Sequence, residues 1–463
     1  MTRTSVMWFR RDLRLADHPA LLAARDEADE VLPLFVLDDV LWGRSGPNRR
    51  AFLAAALHDL SSRVDGRLVV VHGDPVHELE RIARAVQATG VHISADFGPY
   101  GARRDDAVEK ALAVADVPLV RTGSPYAIAP GRVRKDDGSP FKVFTPFSRR
   151  WLAHGWRAPA ATPRAVTWAT FAERTHTIPT ATSDAALPTP TEAAARTQWK
   201  RFCDDVTEYG ALRDDLAADR TSRMSAYLRW GLVHPRTLLA DLAASSGPLA
   251  GSRRPPGPGA HTFRTELCWR EFYADVLWHA PASARRSWND RYDAMRWDTG
   301  ADADARLDAW ARGRTGYPVV DAAMRQLLAE GWMHNRARML VASFLVKDLH
   351  IDWRRGAQHF MHHLVDGDLA SNSHGWQWTA GSGTDASPYH RIFNPVAQGR
   401  RFDPHGEYVR RHVPELREID GAGVHEPWAL PGGVPPGYPE RIVDHAEERQ
   451  DALARYAEMK GER

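Results

Sequence analysis

The 463-residue chain contains only two cysteines, no long apolar run and almost no net charge. Cys203 and Cys268 lie in apolar stretches of helical pattern, so we expect them to pack as small core residues, as is usual in a reducing cytosol, rather than to form a disulfide. The N-terminus has no apolar signal segment, and the apolar run 339–346 is too short to span a bilayer, which predicts a cytoplasmic protein without a membrane partner. A formal charge of +2 excludes a chain that is basic throughout, so any contact with nucleic acid would need a local basic patch.

The first third of the chain lacks the glycine motif G-x-G-x-x-G, but it alternates short apolar runs with amphipathic helical patterns. This alternation predicts βαβ units in a doubly wound parallel sheet that is covered on both faces. Because the glycine motif is missing, the usual dinucleotide site is not indicated in this sheet. The predicted strands are 5–9, 31–37, 67–72, 91–95 and 118–121, and the predicted helices include 18–28, 48–64 and 103–114.

Helical periodicity dominates the rest of the chain, after a stretch rich in Pro, Ala and Thr. That stretch predicts an interdomain linker over residues 131–196, between an α/β domain at residues 1–130 and a helical domain at residues 197–463. Near the end of the linker, Thr189 is the predicted N-cap, Pro190 the first helical residue and Glu192 the capping-box partner of a helix. A second stretch rich in Pro and Gly, at 247–260, interrupts the helical pattern, and no internal repeat is visible.

Residues 366–399 have a composition that neither an amphipathic helix nor a half-buried strand requires. Polar side chains that fix a planar ligand and aromatic faces that stack on it are typical of a cofactor pocket, so we interpret Trp376, Gln377 and Trp378 as a clamp. A loop with two incidental tryptophans is the alternative. The polar residues just before the clamp are Asp366, Asp368, Ser371, Asn372 and Ser373.

Four other segments carry a resemblance to a known family. The chain resembles the photolyase and cryptochrome family at residues 6–21 (VMWFRRDLRLADHPAL), 221–231 (TSRMSAYLRWG), 266–273 (ELCWREFY) and 316–339 (GYPVVDAAMRQLLAEGWMHNRARM), as well as at 366–399. The likeness covers nearly the whole chain. It is closest to the class I photolyases, which use light to repair cyclobutane pyrimidine dimers in DNA.

The resemblance implies that the helical domain binds flavin adenine dinucleotide (FAD), bent into a U, and works with the fully reduced anion. Arg338, held by Asp366, would place positive charge beside the flavin ring, although a plain buried ion pair would have the same sequence. The neutral amide of Asn372 would face the central ring nitrogen. Plant cryptochromes carry Asp at that position, so the amide favours repair over that signalling subclass.

The remaining cofactor residues follow from the same likeness. Thr221, Ser222 and Ser225, at the start of a predicted helix, would offer donors to the diphosphate, and ordinary N-caps are the alternative. Phe263 replaces the Trp of some relatives and keeps the aromatic character. The full implied shell is Tyr209, Thr221, Ser222, Arg223, Met224, Ser225, Phe263, Arg270, Arg338, Asp366, Gly367, Asp368 and Asn372.

The implied partner is DNA that carries a pyrimidine dimer, with the dimer flipped out of the duplex. Glu266 would hydrogen-bond the pyrimidine edge and steady the charged dimer, while Trp269 and Trp378 would grip the flipped bases. Asn335 and Met339 match the cyclobutane-dimer enzymes, whereas (6-4) photolyases carry a catalytic His in this region. The implied phosphate contacts are Arg213, Arg336 and Arg391, and Arg400, Arg401, Arg410 and Arg411 either extend this stripe or form a solvated basic face.

Three of the seventeen tryptophans match an electron-transfer chain of the family, which runs from the surface to the flavin. They are Trp297, Trp353 and Trp376, and ordinary core packing is the alternative. With Glu266 and Asn372, they complete the expected catalytic set.

The family's α/β domain often holds a second, light-harvesting chromophore. Residues 100–105 (YGARRD) lack the Asn-Glu pair that precedes a similar Arg-Asp in folate-binding relatives. This difference favours 8-hydroxy-5-deazaflavin, held by Asp105 and its neighbours, over methenyltetrahydrofolate. An empty pocket or one filled by flavin mononucleotide stays open.

Two classes of function compete for this sequence, a DNA-repair lyase and a blue-light signalling flavoprotein. The chain ends soon after the family core, without the long tail of many signalling cryptochromes, so we expect a lyase. We also expect it to act as a monomer. A nicotinamide-dependent flavin reductase is a third class, but no second nucleotide motif supports it.

Overall fold

The computed structural model describes residues 2–163, 165–173, 175–245, 257–385 and 391–461. The chain divides into two compact units. Unit 1 comprises Met1–Ser183, Pro188–Thr207 and Ser222–Pro281, and unit 2 comprises Asp184–Leu187, Glu208–Thr221 and Ala282–Arg463. The domain boundaries expected at residues 130 and 196 stay a prediction.

The regular elements follow one another in this order along the chain. The strands are β1 (Thr4–Phe9), β2 (Glu30–Asp38), β3 (Val69–Gly73), β4 (Val91–Ile93) and β5 (Leu119–Arg121). The α-helices are α1 (Pro19–Glu27), α2 (Asp39–Gly43), α3 (Pro47–Arg63), α4 (Pro75–Ala85), α5 (Pro99–Ala113), α6 (Phe144–His154), α7 (Glu192–Asp204), α8 (Tyr209–Leu212), α9 (Ser225–Trp230), α10 (Pro235–Ser245), α11 (Pro258–His279), α12 (Ala301–Ala311), α13 (Pro318–Glu330), α14 (Asn335–Lys347), α15 (Trp353–His363), α16 (Leu369–Ala380), α17 (Pro395–Phe402), α18 (Glu407–His412) and α19 (His445–Lys460).

A five-stranded parallel sheet in the order β3-β2-β1-β4-β5 forms the centre of unit 1. Every residue of β1 is buried, as expected for a parallel strand with both faces of its sheet covered. The predicted doubly wound sheet is confirmed, with all five strands near their expected positions. The order reverses between β1 and β4, and in such sheets the crevice at the carboxyl ends of the strands is the usual ligand site.

The helix predicted after the linker begins two residues later than expected. Thr191 is the N-cap of α7, and its hydroxyl accepts a hydrogen bond from the Ala194 amide at 3.0 Å. The prediction of Thr189 as N-cap is wrong, because a capping oxygen must reach an amide two or three residues into the helix. Glu192 forms no capping box. Its carboxylate instead accepts from the Leu15 amide at 2.9 Å and pairs with Arg63 at 2.6 Å.

The linker is tied to the sheet of unit 1 and does not simply lie over its surface. The Val31 amide donates to the Thr167 carbonyl, and the Ala169 amide donates to the Val31 carbonyl, both at 2.9 Å. Ala169 is buried as a result. These bonds form one parallel β-bridge between Val31 of β2 and Trp168.

Unit 2 is helical, as predicted, and its core lies among α13, α14, α15 and α16. Of the stretch 247–260 that was expected to interrupt the helices, residues 247–256 lie outside the described part of the chain, and α11 begins at Pro258. Both cysteines are unpaired. Among the described residues, no helix combines the length and the apolar character needed to cross a membrane.

Candidate functional site

Helix α11 presents predicted site residues along one stripe of unit 1. Glu266, Trp269 and Arg270 stand three and four positions apart, so their side chains are neighbours on the helix surface. All three are partly exposed, whereas Phe263, one turn earlier, is buried and packs against Phe202 with ring centroids 4.9 Å apart. The helix therefore offers a carboxyl group, an indole and a guanidinium side by side.

A second aromatic ring fixes the orientation of Trp269. Phe144, the first residue of α6, stacks on the indole with a centroid distance of 3.5 Å and an angle of 6° between the ring planes. Phe144 is itself buried, so one face of the indole is covered by a rigid partner. Phe144 belongs to no recognisable sequence motif, so its contact with Trp269 was not predicted.

The Arg270 guanidinium is held by backbone groups of unit 1. It donates to the carbonyl oxygens of Pro125 at 3.1 Å and Leu228 at 3.4 Å, and it lies over the Tyr126 ring at 4.7 Å. These contacts fix the position of the guanidinium. They use only some of its N–H groups, so the others can still donate to a ligand.

The segment 221–225 differs from the expected helix start. Helix α9 begins at Ser225, with Met224 as a cap that makes no side-chain hydrogen bond, so Thr221 and Ser222 lie just before the helix. The Ser222 hydroxyl accepts from the Met224 amide at 3.3 Å, and Arg223 adopts a left-handed backbone with φ of 51°. The Thr221 hydroxyl oxygen, in unit 2, is buried and has no hydrogen-bond partner in the part of the chain that the structure describes.

The ion pair expected from the sequence is present in unit 2. Arg338 donates from Nη2 to Asp366 Oδ2 at 2.7 Å and from Nε to the Met333 carbonyl at 2.8 Å. Asp366 is buried, and no described residue donates a hydrogen bond to its second oxygen, Oδ1. The Arg338 guanidinium is thus held in place, and Asp366 Oδ1 can accept a hydrogen bond from another donor.

Helix α16 carries Asp368 and Asn372 at its start. Asp368 is the N-cap, and its Oδ1 accepts from the amides of Ala370 and Ser371 at 3.1 and 3.2 Å. Gly367, just before the cap, is buried. Asn372 donates from Nδ2 to the Ala357 carbonyl at 2.9 Å, which determines which branch of the amide is the oxygen. The Asn372 side-chain amide is therefore held in place, and its oxygen can accept a hydrogen bond.

The interpretation of residues 376–378 as a clamp is wrong. These residues lie within α16, where side chains two positions apart point to different faces of the helix. Gln377 is fully buried, accepting from the Trp288 amide and donating to the Ser283 carbonyl, both at 2.7 Å. Trp376 is also buried, and only Trp378 is partly exposed.

All three tryptophans of the expected electron-transfer chain belong to unit 2. Trp353 and Trp376 are 2% exposed, and Trp297 is a partly buried residue packed against the same core. Among the described residues, the buried indole nitrogens of Trp353 and Trp376 have no hydrogen-bond partner. Trp376 contacts Phe360 of α15 edge to face, with ring centroids 5.0 Å apart.

Two of the expected phosphate contacts meet at one carboxylate. Arg336 binds both oxygens of Asp214, and Arg213 lies 4.0 Å from the same side chain. Arg336 also lies over the Phe402 ring at 4.5 Å, and Arg213 lies over the ring of Tyr209 at 6.0 Å. No local sequence signal predicts this contact, because Asp214 lies more than a hundred residues before helix α14.

The start of α14 places Asn335 and Met339 close to Arg336. Asn335 is the exposed first residue of the helix, and the Met339 sulfur lies 3.9 Å from Arg336 Nη1. His334 is the N-cap, with Nδ1 accepting from the Arg336 amide at 3.1 Å. Burial lowers the pKa of His334 to about 4, so it caps the helix as a neutral imidazole.

The other arginines are held to different degrees. Arg391 is exposed, and its carbonyl accepts from the buried ammonium of Lys347. Arg410 donates to the carbonyl oxygens of Ile419 and His405 at 3.1 and 2.8 Å. Of the rest, Arg400 pairs with Glu426, Arg411 donates to the Ala217 carbonyl, and Arg401 lies over Phe402.

The carboxyl edge of the sheet in unit 1 holds a buried charge cluster. Arg10, directly after β1, donates to both oxygens of Asp105 at 2.7 Å, and Arg104 donates to Asp105 Oδ1 at 2.8 Å. Both guanidinium groups also lie over the Trp8 ring, at 4.7 and 4.9 Å. The Asp105 carboxylate is therefore occupied by two arginines, and it is 1% exposed.

Two other groups follow the carboxyl end of β2. Asp38 accepts from the Tyr100 hydroxyl at 2.6 Å and caps α2 with its other oxygen. Arg49, in the first turn of α3, is 7% exposed and has no carboxylate partner in the described part of the chain. Burial lowers the pKa of Arg49 to about 10, and its Nε is unpaired. A buried cation without an anion is a site that a negatively charged ligand would stabilise.

The residues expected to bind FAD fit a ligand with phosphates, hydroxyls and a polar ring. Thr221 Oγ1 and Asp366 Oδ1 are buried polar atoms without a partner, and such atoms are rare in native proteins unless a ligand or water satisfies them. The fixed Arg338 guanidinium and the Asn372 amide add a charge and an acceptor.

Comparisons with known proteins show which family the whole chain is similar to. Residues 5–165 match the family model for DNA photolyase, and residues 263–458 match the model for the FAD binding domain of DNA photolyase. A deoxyribodipyrimidine photo-lyase of Streptomyces griseus is 43% identical over 482 residues, which cover 99% of each chain.

Two solved structures are similar to the whole chain. A class III photolyase from Agrobacterium tumefaciens superposes with a TM-score of 0.91 and 37% identity, covering 100% of this chain and 98% of its own. A Synechocystis cryptochrome superposes with a TM-score of 0.88 and 26% identity, covering 98% of this chain and 99% of its own. With two family models that together match more than half of its residues, this chain belongs to the DNA photolyase family and carries that family's FAD-binding domain.

Proposed function

We propose that this protein is a light-driven DNA-repair lyase that splits cyclobutane pyrimidine dimers, with reduced FAD as the electron donor. The observation that carries the proposal is the stripe on α11, where Glu266 and the Phe144-backed Trp269 stand one turn apart. A carboxyl group and a rigid aromatic face are what a flipped pyrimidine dimer needs, one for its polar edge and one for its apolar surface.

Bound FAD supplies an electron to the dimer after it absorbs light. Arg338 would supply positive charge to the anionic reduced flavin, and the Asp366 carboxylate keeps that guanidinium in place. Asn372 presents its oxygen because Nδ2 is engaged by Ala357. A neutral amide does not readily release a proton, so this residue protects the anionic form. The remaining cofactor contacts proposed are Tyr209, Thr221, Ser222, Arg223, Met224, Ser225, Phe263, Arg270, Gly367 and Asp368.

On the substrate side, Glu266 binds the polar edge of the dimer and stabilises the charge that develops there. Trp269 and Trp378 stack on the flipped bases, and Asn335 and Met339 border the same substrate. Arg213, Arg336 and Arg391 neutralise backbone phosphates and position the DNA without reading its sequence.

Trp376, Trp353 and Trp297 restore the reduced cofactor by passing electrons inward. An oxidised indole becomes a strong acid, and losing its N–H proton would trap the hole at that residue. The buried nitrogens of Trp353 and Trp376 have no acceptor, so neither residue has a partner that would take the proton. This favours transfer of the hole to the partly exposed Trp297.

For the antenna chromophore we propose 8-hydroxy-5-deazaflavin at the carboxyl edge of the sheet. Asp105 is occupied by Arg10 and Arg104, so the neighbouring groups Asp38, Tyr100 and Arg49 support this proposal better than Asp105 does. A deazaflavin that carries an ionised hydroxyl would supply the anion that Arg49 lacks. Adding deazaflavin to Arg49→Gln and to the parent, and comparing the affinities by absorbance, tests this; equal affinities contradict it.

The decisive experiment uses the FAD-loaded full chain, reduced with dithionite, and an oligonucleotide with a single thymine dimer. Illumination should restore the two thymines, while the dark sample and an intact oligonucleotide show no change. A protein that takes up FAD and responds to light but leaves the dimer intact would be a blue-light photoreceptor. We further propose that the lyase acts as a cytoplasmic monomer, which sedimentation of the loaded protein tests in part.

A further inference from the structure

The Trp376 indole lies directly against the backbone of α15 at Gly356. A Cβ atom built on Gly356 would fall 2.5 Å from Trp376 Cζ3 and closer still to Cη2, well inside the ordinary contact distance of about 3.4 Å. On its other side the same Cβ would lie 2.5 Å from Leu345 Cδ2 of α14. Three helices of unit 2 therefore meet at this glycine with no room for a methyl group.

Gly356 lies on the same helix as Trp353, the next tryptophan of the proposed electron-transfer chain. Trp353 is the first residue of α15 and stands three positions before Gly356, so both lie on one side of that helix, one turn apart. Phe360, four positions after Gly356, meets the same indole edge to face. Trp376 therefore packs against α15 at Gly356 and Phe360, and Gly356 lies one turn from Trp353.

We propose that Gly356 is a positioning residue for electron transfer, since its missing side chain lets Trp376 approach α15 closely enough to exchange electrons with Trp353. The inference rests on the proposed function. Once Trp376 has given one electron to the light-excited flavin, it takes one electron from Trp353, which takes one from Trp297, and an added thiol reductant refills Trp297. No bond is formed or broken between the indoles, so their separation governs the rate.

The experiment compares Gly356→Ala with Gly375→Ala. Gly375 precedes Trp376 on α16, and a Cβ there would meet no atom within 4 Å apart from its two chain neighbours and the backbone of its own helix. Side chains one position apart on a helix do not face each other, so this control adds the same methyl group on a different face from the indole. Because the rate of electron transfer falls with the separation of donor and acceptor, we expect Gly356→Ala to slow the photoreduction of oxidised FAD several-fold. Gly375→Ala should photoreduce like the parent. Dimer repair by either variant after dithionite reduction should be unchanged.

A second readout does not depend on the flavin. Urea unfolding of the parent, Gly356→Ala, Trp376→Phe and the double variant forms a thermodynamic cycle. A phenyl ring lacks the two indole atoms that the new methyl would strike, so Gly356→Ala should destabilise the parent far more than it destabilises Trp376→Phe. If Gly356→Ala alone does not fold, the double variant must fold for the proposal to stand.

Three results overturn the proposal: photoreduction at the parent rate in Gly356→Ala, a cycle without coupling, or a double variant that fails to fold with Gly356→Ala. Failure of the proposed function looks different. In that case the dithionite-reduced parent leaves the thymine dimer intact, while photoreduction and the unfolding cycle still report on Gly356.

Discussion

Arg336 donates to both oxygens of Asp214, from Nη2 at 2.8 Å and from Nε at 3.3 Å. The two residues stand 122 positions apart and are both partly exposed. On the proposed function, a carboxylate in this bidentate geometry would orient the guanidinium before DNA binds, and it would also compete with a phosphate for the same N–H groups.

Replacing Asp214 by Asn should raise the affinity for DNA in the dark by a similar factor for dimer-containing and intact duplexes, because a negative charge beside the phosphates is lost. Arg336→Ala should lower both affinities and make the dependence on salt shallower by about one unit. Fluorescence anisotropy over a range of salt concentrations measures both. Arg391→Ala is the control, since its effect should be the same with Asp214 or Asn. Weaker binding by Asp214→Asn would mean that the carboxylate is needed to hold Arg336.

Glu266→Ala should retain FAD but repair dimers about 10- to 100-fold less efficiently per absorbed photon, because the charge developing on the dimer loses its partner. The measurement is the yield of restored thymine from dithionite-reduced protein, with the flavin spectrum as the check on cofactor content. Its affinity for damaged DNA should fall towards that for intact DNA. Equal yields for variant and parent would remove Glu266 from the reaction.

Trp376→Phe should abolish photoreduction of oxidised FAD, whereas the dithionite-reduced variant still repairs dimers, because the tryptophans only recharge the cofactor. Trp310→Phe is a matched control. Trp310 is buried in the same cluster, 6.1 Å from Trp376 between ring centroids, and its nitrogen donates to the Val341 carbonyl. Loss of photoreduction in both variants would point to general damage to the core.

The acid stability of the protein should depend on His334. Burial lowers its pKa from 6.5 to about 4 in the folded state, so the unfolded chain binds the extra proton between these values. Its contribution is therefore complete above about pH 6.5 and is lost as the pH falls towards 4, by up to about 3 kcal/mol in the free energy of unfolding. His334→Asn, which keeps a capping side chain, should flatten this decline in urea unfolding at several pH values. The exposed His405→Asn serves as control, and identical profiles for His334→Asn and the parent would contradict the assignment.

Local pattern was enough to predict the strands, the helical character of unit 2 and the types of residue in the site. Alternation of apolar runs with amphipathic segments predicts a parallel sheet because each element must bury one face, and that requirement is local. The Arg338–Asp366 pair and the two ends of the α11 stripe, Glu266 and Arg270, were likewise accessible, because they stand within recognisable motifs.

Contacts between distant segments were decided only by the tertiary structure. Phe144 behind Trp269, Asp214 between two arginines, and Gly356 beneath Trp376 each join segments whose separation along the chain carries no signal. The same holds for the corrections. Residues 376–378 resemble a clamp in sequence, but helical geometry turns their side chains to different faces. Thr191, and not Thr189, is the N-cap of α7, because its hydroxyl reaches the Ala194 amide. Composition determines which groups a chain can offer, while packing determines which of them meet.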